Sequence, residues 1–96
     1  MIPAIISDYD KAVELSPRMA FAHYNKGNVL AEMGDYTSAL RAYNKAIELK
    51  PDLGEAYYNR GYVYFQLGNR DKGVENLSKA GELGVVPSYN LIKRMH

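Results

Sequence analysis

Cysteine and tryptophan are both absent from this chain. Without cysteine there is no disulfide framework and no thiolate to serve as nucleophile or metal ligand. That absence suits a reducing compartment, and a cytoplasmic location is the expectation. Long apolar runs are missing too: no stretch approaches the roughly 18 residues that a membrane span requires. The apolar opening Met1-Ile2-Pro3-Ala4-Ile5-Ile6 is short, has no basic flank and runs straight into Asp8. It reads as half of a packed helix, not as a signal peptide, and no membrane partner is expected. Charge of one sign is likewise lacking, with 12 basic residues against 11 acidic ones. A nucleic-acid binder carries a basic excess or stripe, so nucleic acid is not an expected partner.

Catalytic chemistry finds little to stand on. Of the two histidines, His23 and His96, neither has a cysteine or another histidine at metal-ligand spacing. No His-Glu-x-x-His, Gly-x-Ser-x-Gly or phosphate-cradling glycine loop occurs. The expectation is a protein that is not an enzyme and uses neither metal nor cofactor.

What the chain does have is a repeat. Tyr9 and Tyr43, Pro17 and Pro51, Ala22 and Ala56, Tyr24 and Tyr58, Gly27 and Gly61, Gly34 and Gly68, and Ala46 and Ala80 all stand 34 residues apart. A fixed period of this length signals one helix–turn–helix unit used repeatedly, each copy burying its apolar face on the next. The composition, 47% apolar and 24% charged, fits one small folded domain. Tyrosine is the outlier, with nine copies, and its polar-tipped ring suits a surface that is both apolar and wet.

The punctuation inside each unit is regular. In the first, the spacing predicts a helix over Ala20–Met33, a stop at Gly34, and a second helix over Tyr36–Glu48 capped by Asp35. Lys50-Pro51 ends that helix, and Asp52 is expected to cap the next. The second unit repeats this with helices over Glu55–Leu67 and Arg70–Leu83 around a Gly68-Asn69 turn. Its second helix is weakened by Gly73, Gly81 and Gly84 and lacks a proline at Val85, so fraying is expected near Gly81–Val86. Half-units flank the pair: Ala4–Leu15 matches a second helix, and Pro87–Met95 forms a short last one. The domain therefore divides into a half repeat (1–19), two full repeats (20–53 and 54–87) and a capping helix or partial third repeat (87–96).

These residues resemble the tetratricopeptide repeat (TPR). The family's signature glycine stands at Gly27 and Gly61. Its small residue between helices is Ala39 and Gly73, its large residue Tyr43 and Leu77, its alanine Ala46 and Ala80, and its proline Pro51. His23 and Tyr57 replace a frequent tryptophan, and Lys26 and Arg60 replace a leucine. For those two cations the expectation is that the stems lie on apolar surface while the charges reach water. The resemblance implies an all-α, right-handed superhelix of five to six antiparallel helices, acting as a protein–protein interaction module. The signature positions are packing positions and carry no information about ligand choice.

In TPR proteins the first helix of each unit lines a concave groove that holds a peptide or a partner helix. Carried onto this chain, the groove residues are Phe21, Tyr24, Asn25, Asn28, Ala31 and Glu32 from one unit. The other contributes Glu55, Tyr58, Asn59, Tyr62, Phe65 and Gln66. The partner-binding candidates are Tyr24, Asn25, Asn28, Tyr58, Asn59, Tyr62 and Phe65. Tyr24, Tyr58, Tyr62 and Phe65 are expected to form an exposed apolar strip. The asparagines are expected to pair with peptide backbone. Some TPR proteins bind acidic C-termini through a carboxylate clamp. Asn28 and Asn59 match its asparagines, but Tyr24 replaces a lysine and Tyr89 stands beside Lys93 where two cations belong. A co-chaperone-like or regulatory adaptor with an incomplete clamp is thus one alternative. Another is a scaffold fragment of a larger protein that self-associates through the half repeat, where Ile2, Ile5 and Ile6 lack the usual covering helix.

Overall fold

A computed structural model of the chain describes residues 17–85. These form four helices and, among the described residues, no strand: α1 Pro17–Glu32, α2 Tyr36–Leu49, α3 Gly54–Gln66 and α4 Arg70–Glu82. Packing is closest within the pairs α1–α2 and α3–α4, and α2–α3 joins one pair to the other. This is the all-α helical repeat that the resemblance to the TPR family implied. The flanking segments Ala4–Leu15 and Pro87–Met95 lie outside the described residues.

Glycine sets the turns within each unit. Gly34 and Gly68 take φ values of 82° and 83°, a left-handed conformation that only glycine adopts without steric cost. Each turn closes on two hydrogen bonds that satisfy carbonyls at the helix end. The Gly34 and Asp35 N–H groups donate to Ala31 and Leu30, and those of Gly68 and Asn69 donate to Phe65 and Tyr64. The next residue caps the following helix: Asp35 Oδ1 accepts from the Ser38 N–H, and Asn69 Oδ1 from the Lys72 N–H.

Several boundaries depart from the sequence expectation. Helix α1 opens at Pro17, ahead of Ala20. Proline suits a first turn because its φ is already helical and the N–H it lacks would have no partner there. Asp52 does not cap α3. The N-cap is Leu53, which makes no side-chain cap bond, while the Asp52 carboxylate pairs with Lys50 Nζ at 2.9 Å. Burial fixes this start instead. Leu53 is 1% exposed among Ala20, Ala46 and Ala56, a contribution of about 1.5–3 kcal/mol for a side chain of its size.

Helix α4 ends inside the stretch Gly81–Val86 where its glycines suggested weakness. It runs to Glu82 and closes through Gly84 at φ 94°. The Gly84 N–H donates to Gly81 and the Val85 N–H to Ala80. Gly84 stands one period after Lys50, so a left-handed glycine ends the second unit where Lys50-Pro51 ends the first. Val85, which replaces the proline, packs its Cγ2 where a side chain on Gly54 would be, 2.5 Å from the Cβ position. Val86 lies outside the described residues.

Small residues hold the helices together. Ala20, Ala46, Leu53 and Ala56 form one buried cluster, and Ala39, Tyr43 and Val63 a second. Tyr24 packs against both. Arg60 adds to the expectation, since its partly exposed guanidinium also bonds to neighbouring helices. Its Nη1 donates to Asn44 Oδ1 of α2 at 2.8 Å and its Nε to Asn76 Oδ1 of α4 at 2.7 Å. It also lies 5.1 Å from the Tyr57 ring centroid. Lys26, its counterpart in the first unit, is exposed.

Candidate functional site

Helices α1 and α3 run side by side and present Asn28 and Asn59 to each other. Asn28 sits one turn beyond Tyr24 on the same face of α1. Four polar groups here are joined by hydrogen bonds. The Tyr43 hydroxyl donates to Asn28 Oδ1 at 2.6 Å. Asn59 Nδ2 donates to that same oxygen at 2.7 Å and to the Tyr24 hydroxyl at 3.2 Å. The Tyr24 and Tyr43 rings are 6.1 Å apart and tilted by 47°, within the range of favourable aromatic pairs. The network therefore stitches α1, α2 and α3 together.

It also leaves functional groups over. Asn28 Oδ1 is occupied, and Asn59 Nδ2 has used both of its hydrogens. The Asn28 Nδ2 donors and the Asn59 Oδ1 acceptor have no partner among the described residues. Both asparagines belong to the lining of an open cleft of about 440 Å³, with Ala31, Glu32, Tyr36, Tyr43 and Tyr62. Burial pushes the Tyr43 phenol up to about 12, against the opposing pull of the neighbouring Asn59 amide. Tyr43 thus stays protonated and keeps donating at neutral pH. Glu32 is the one charged side chain among the described lining residues.

The candidate residues separate into groups. Asn28, Asn59 and Tyr62 line the cleft, and Tyr24 reaches it only through the hydrogen bond its hydroxyl accepts from Asn59. Tyr62 is 48% exposed, and its hydroxyl accepts from Gln66 Nε2 at 2.8 Å. Asn25 is exposed and Tyr58 half-buried, and neither lines this cleft. Phe65 is half-buried with its ring on Gly73 of α4, 2.9 Å from where a Cβ would stand. The four rings therefore do not make one exposed strip: Tyr62 alone is open, and Tyr24 is largely structural. Tyr36 and Tyr43 were not among the sequence candidates. Tyr43 carried a signal, because a tyrosine at a buried packing position must find a partner for its hydroxyl. Lys93 and Tyr89, the doubtful part of the clamp, lie outside the described residues.

Family profiles agree with this architecture. One described as TPR repeat matches residues 27–68, and two described as tetratricopeptide repeat match residues 8–41 and 54–83. The chain belongs to the tetratricopeptide-repeat family. Two solved structures resemble this TPR chain along most of its length. A crystal structure of MamA shares 29% identity at a TM-score of 0.72, covering 88% of this chain and 50% of its own. Another, titled as the crystal structure of MamA protein, shares 36% identity at a TM-score of 0.65, with coverages of 84% and 44%. The chain spans about half the length of these two relatives. No curated protein matches it. Family membership places the chain among interaction and scaffold modules, a family that is generally not catalytic. Among the described residues no helix is long and apolar enough to cross a membrane, and no group of side chains is arranged to hold a metal ion.

Proposed function

We propose that this TPR domain holds an extended segment of a partner protein in the cleft between α1 and α3. The observation that carries the reading is the pair of unspent amide groups, the Asn28 donors and the Asn59 acceptor, on an open cleft beside the exposed Tyr62 ring. An extended peptide brings an N–H and a C=O at each residue, and both need partners when buried. One donor and one acceptor fixed by a rigid network supply them without reorganisation. Tyr62 adds apolar area to one wall.

The charge of the cleft narrows the partner. With Glu32 on its wall and no described lysine or arginine, it repels an acidic terminus and suits a neutral or basic segment. That argues against the clamp-like adaptor reading.

Selection of peptides from a random library, followed by calorimetry, tests the proposal. Selected peptides should be enriched in Lys or Arg, and Tyr62→Ala should weaken them about tenfold, as expected for a central aromatic contact. If the library yields no binder, or binders indifferent to Tyr62→Ala, the scaffold reading takes its place.

A further inference from the structure

A second cleft, of about 360 Å³, opens between α1 and α2 of the first unit and shares no described residue with the α1–α3 cleft. Helix α1 gives it His23 and Lys26, and α2 gives it Ser38, Arg41 and Lys45. Within each helix these residues stand three or four apart and so share one face. No acidic side chain is among the described lining residues. None of the three cations forms an ion pair among the described residues. His23 Nε2 is buried without a hydrogen-bond partner. Burial, and then the charges of Lys45 and Lys26, hold the His23 imidazole below its ordinary pKa, so it is neutral at pH 7. In the tautomer with its proton on Nε2 it is a donor without an acceptor.

The second unit carries the same groove in a neutral form. One period on, Lys26 becomes Arg60, Arg41 becomes Glu75, Ala42 becomes Asn76 and Lys45 becomes Lys79. These four line a cleft of about 550 Å³ together with Glu82. Two carboxylates there match two cations, and the Arg60 guanidinium is held by Asn76 and Asn44. The helical repeat therefore does not need a cationic groove at this place. The first unit has a guanidinium where the second has a carboxylate, and a methyl where the second has an amide acceptor. Such a concentration of like charge in a nearly neutral chain favours a bound anion.

We propose that the α1–α2 cleft of the first unit binds a phosphate monoester, with Lys26, Arg41 and Lys45 as its charge partners and Ser38 and His23 as hydrogen-bond donors. A carboxylate brings one charge, whereas a phosphate monoester brings about 1.5 to 2 at pH 7 and three acceptor oxygens. The planar fork of an arginine suits those oxygens in pairs. The volume lies at the small end of ligand clefts, which run from about 300 to 1,000 Å³. It admits a phosphate and a compact organic group, for which Leu30 and Ala42 supply apolar wall. The ester is carried either by a free small molecule or by a phosphorylated side chain.

The test is titration of the full chain at low ionic strength, followed by amide chemical shifts. The probes are glycerol phosphate, a phosphoserine tripeptide and acetate. Both esters should shift the amides of residues 23–26 and 38–45 saturably, and acetate should bind at least tenfold more weakly. Arg41 and Lys26 are exposed, so Arg41→Gln and Lys26→Gln should keep the native circular dichroism. Each should weaken the esters about tenfold, as expected for a lost charge-assisted hydrogen bond. Lys79→Gln, in the neutral groove, should leave binding unchanged. Equal affinity for the two esters supports a free small molecule as the source, and a tripeptide bound tenfold more tightly supports a phosphorylated side chain. Three results overturn the proposal: no saturable shift with either ester, acetate bound as tightly as the esters, or ester binding that neither Arg41→Gln nor Lys26→Gln weakens.

Discussion

The Tyr43 ring packs so closely on Gly27 that a Cβ added there would stand 2.6 Å from Tyr43 Cε1. Asn28, the next residue, accepts a hydrogen bond from the hydroxyl of the same tyrosine. The glycine that lets α1 and α2 approach thereby also positions the hydrogen bond at the edge of the candidate cleft.

Gly27→Ala should reveal both roles. Alanine gains about 0.8–1 kcal/mol of helix propensity, whereas overpacking a core costs about 1–3 kcal/mol. Tyr43 is 1% exposed, so its ring has little room to retreat and the overpacking wins. The expected outcome in urea unfolding is a net loss of about 1–2 kcal/mol. Any peptide held in the cleft should weaken with it, since Tyr43 must carry Asn28 along when it moves.

Tyr43 also makes the fold sensitive to alkali. Its phenol ionises near 12 in the folded chain, chiefly because burial disfavours the phenolate, against an ordinary value of 10.0. A folded value above the unfolded one means that its contribution is whole below pH 10 and disappears as pH climbs towards 12. The linked loss is on the order of 2–3 kcal/mol. Tyr43→Phe cannot ionise, so it should lose less stability than the native chain between pH 10 and 12. At pH 7 it should be less stable by about 0.5–1.5 kcal/mol, for the lost hydrogen bond. Urea unfolding of both proteins at pH 7, 10 and 11.5 measures the crossover, and parallel curves would contradict the assignment.

Much of this fold was legible because repetition shows the same constraint twice. Gly34 and Gly68, followed by Asp35 and Asn69, announce two turns and two caps that the structure contains. What misled was the single copy. Pro17 looks like Pro51, yet one opens a helix and the other precedes one, because a proline satisfies either place. Gly84 looked like a weakness and is a helix end; only its backbone hydrogen bonds tell the two apart. At the candidate cleft, family position named Asn28 and Asn59, but it could not reveal that each spends half of its amide on a tyrosine or on the other. That sharing depends on distances between helices, which a linear pattern does not encode.

Arg60 offers a sharper test of what joins the units. Arg60→Met keeps much of the stem and removes the fork, stranding the oxygen of Asn76, which is 7% exposed. A buried acceptor left unpaired costs about 1–3 kcal/mol. Asn44 is exposed and recovers water, so Asn44→Ala should cost about 0.5 kcal/mol or less. Thermal unfolding should therefore rank Arg60→Met well below Asn44→Ala. A reversed order would show that the bond across the units matters more than the one within.

Gly84 separates backbone strain from packing. Among the described residues nothing lies within 4 Å of a Cβ built there, yet its φ is 94°. Gly84→Ala therefore meets no clash with the described residues, and its cost is that of left-handed backbone, about 1–2 kcal/mol. The mirror substitution at the equivalent place, Lys50→Gly, gains nothing, because Lys50 sits at φ −144° and needs no glycine. It should instead destabilise slightly, through the added freedom of the unfolded chain and the lost pair with Asp52. If Gly84→Ala proved neutral in urea unfolding, the turn after α4 would have to reach its hydrogen bonds by another conformation, and Val85 would no longer be held on Gly54.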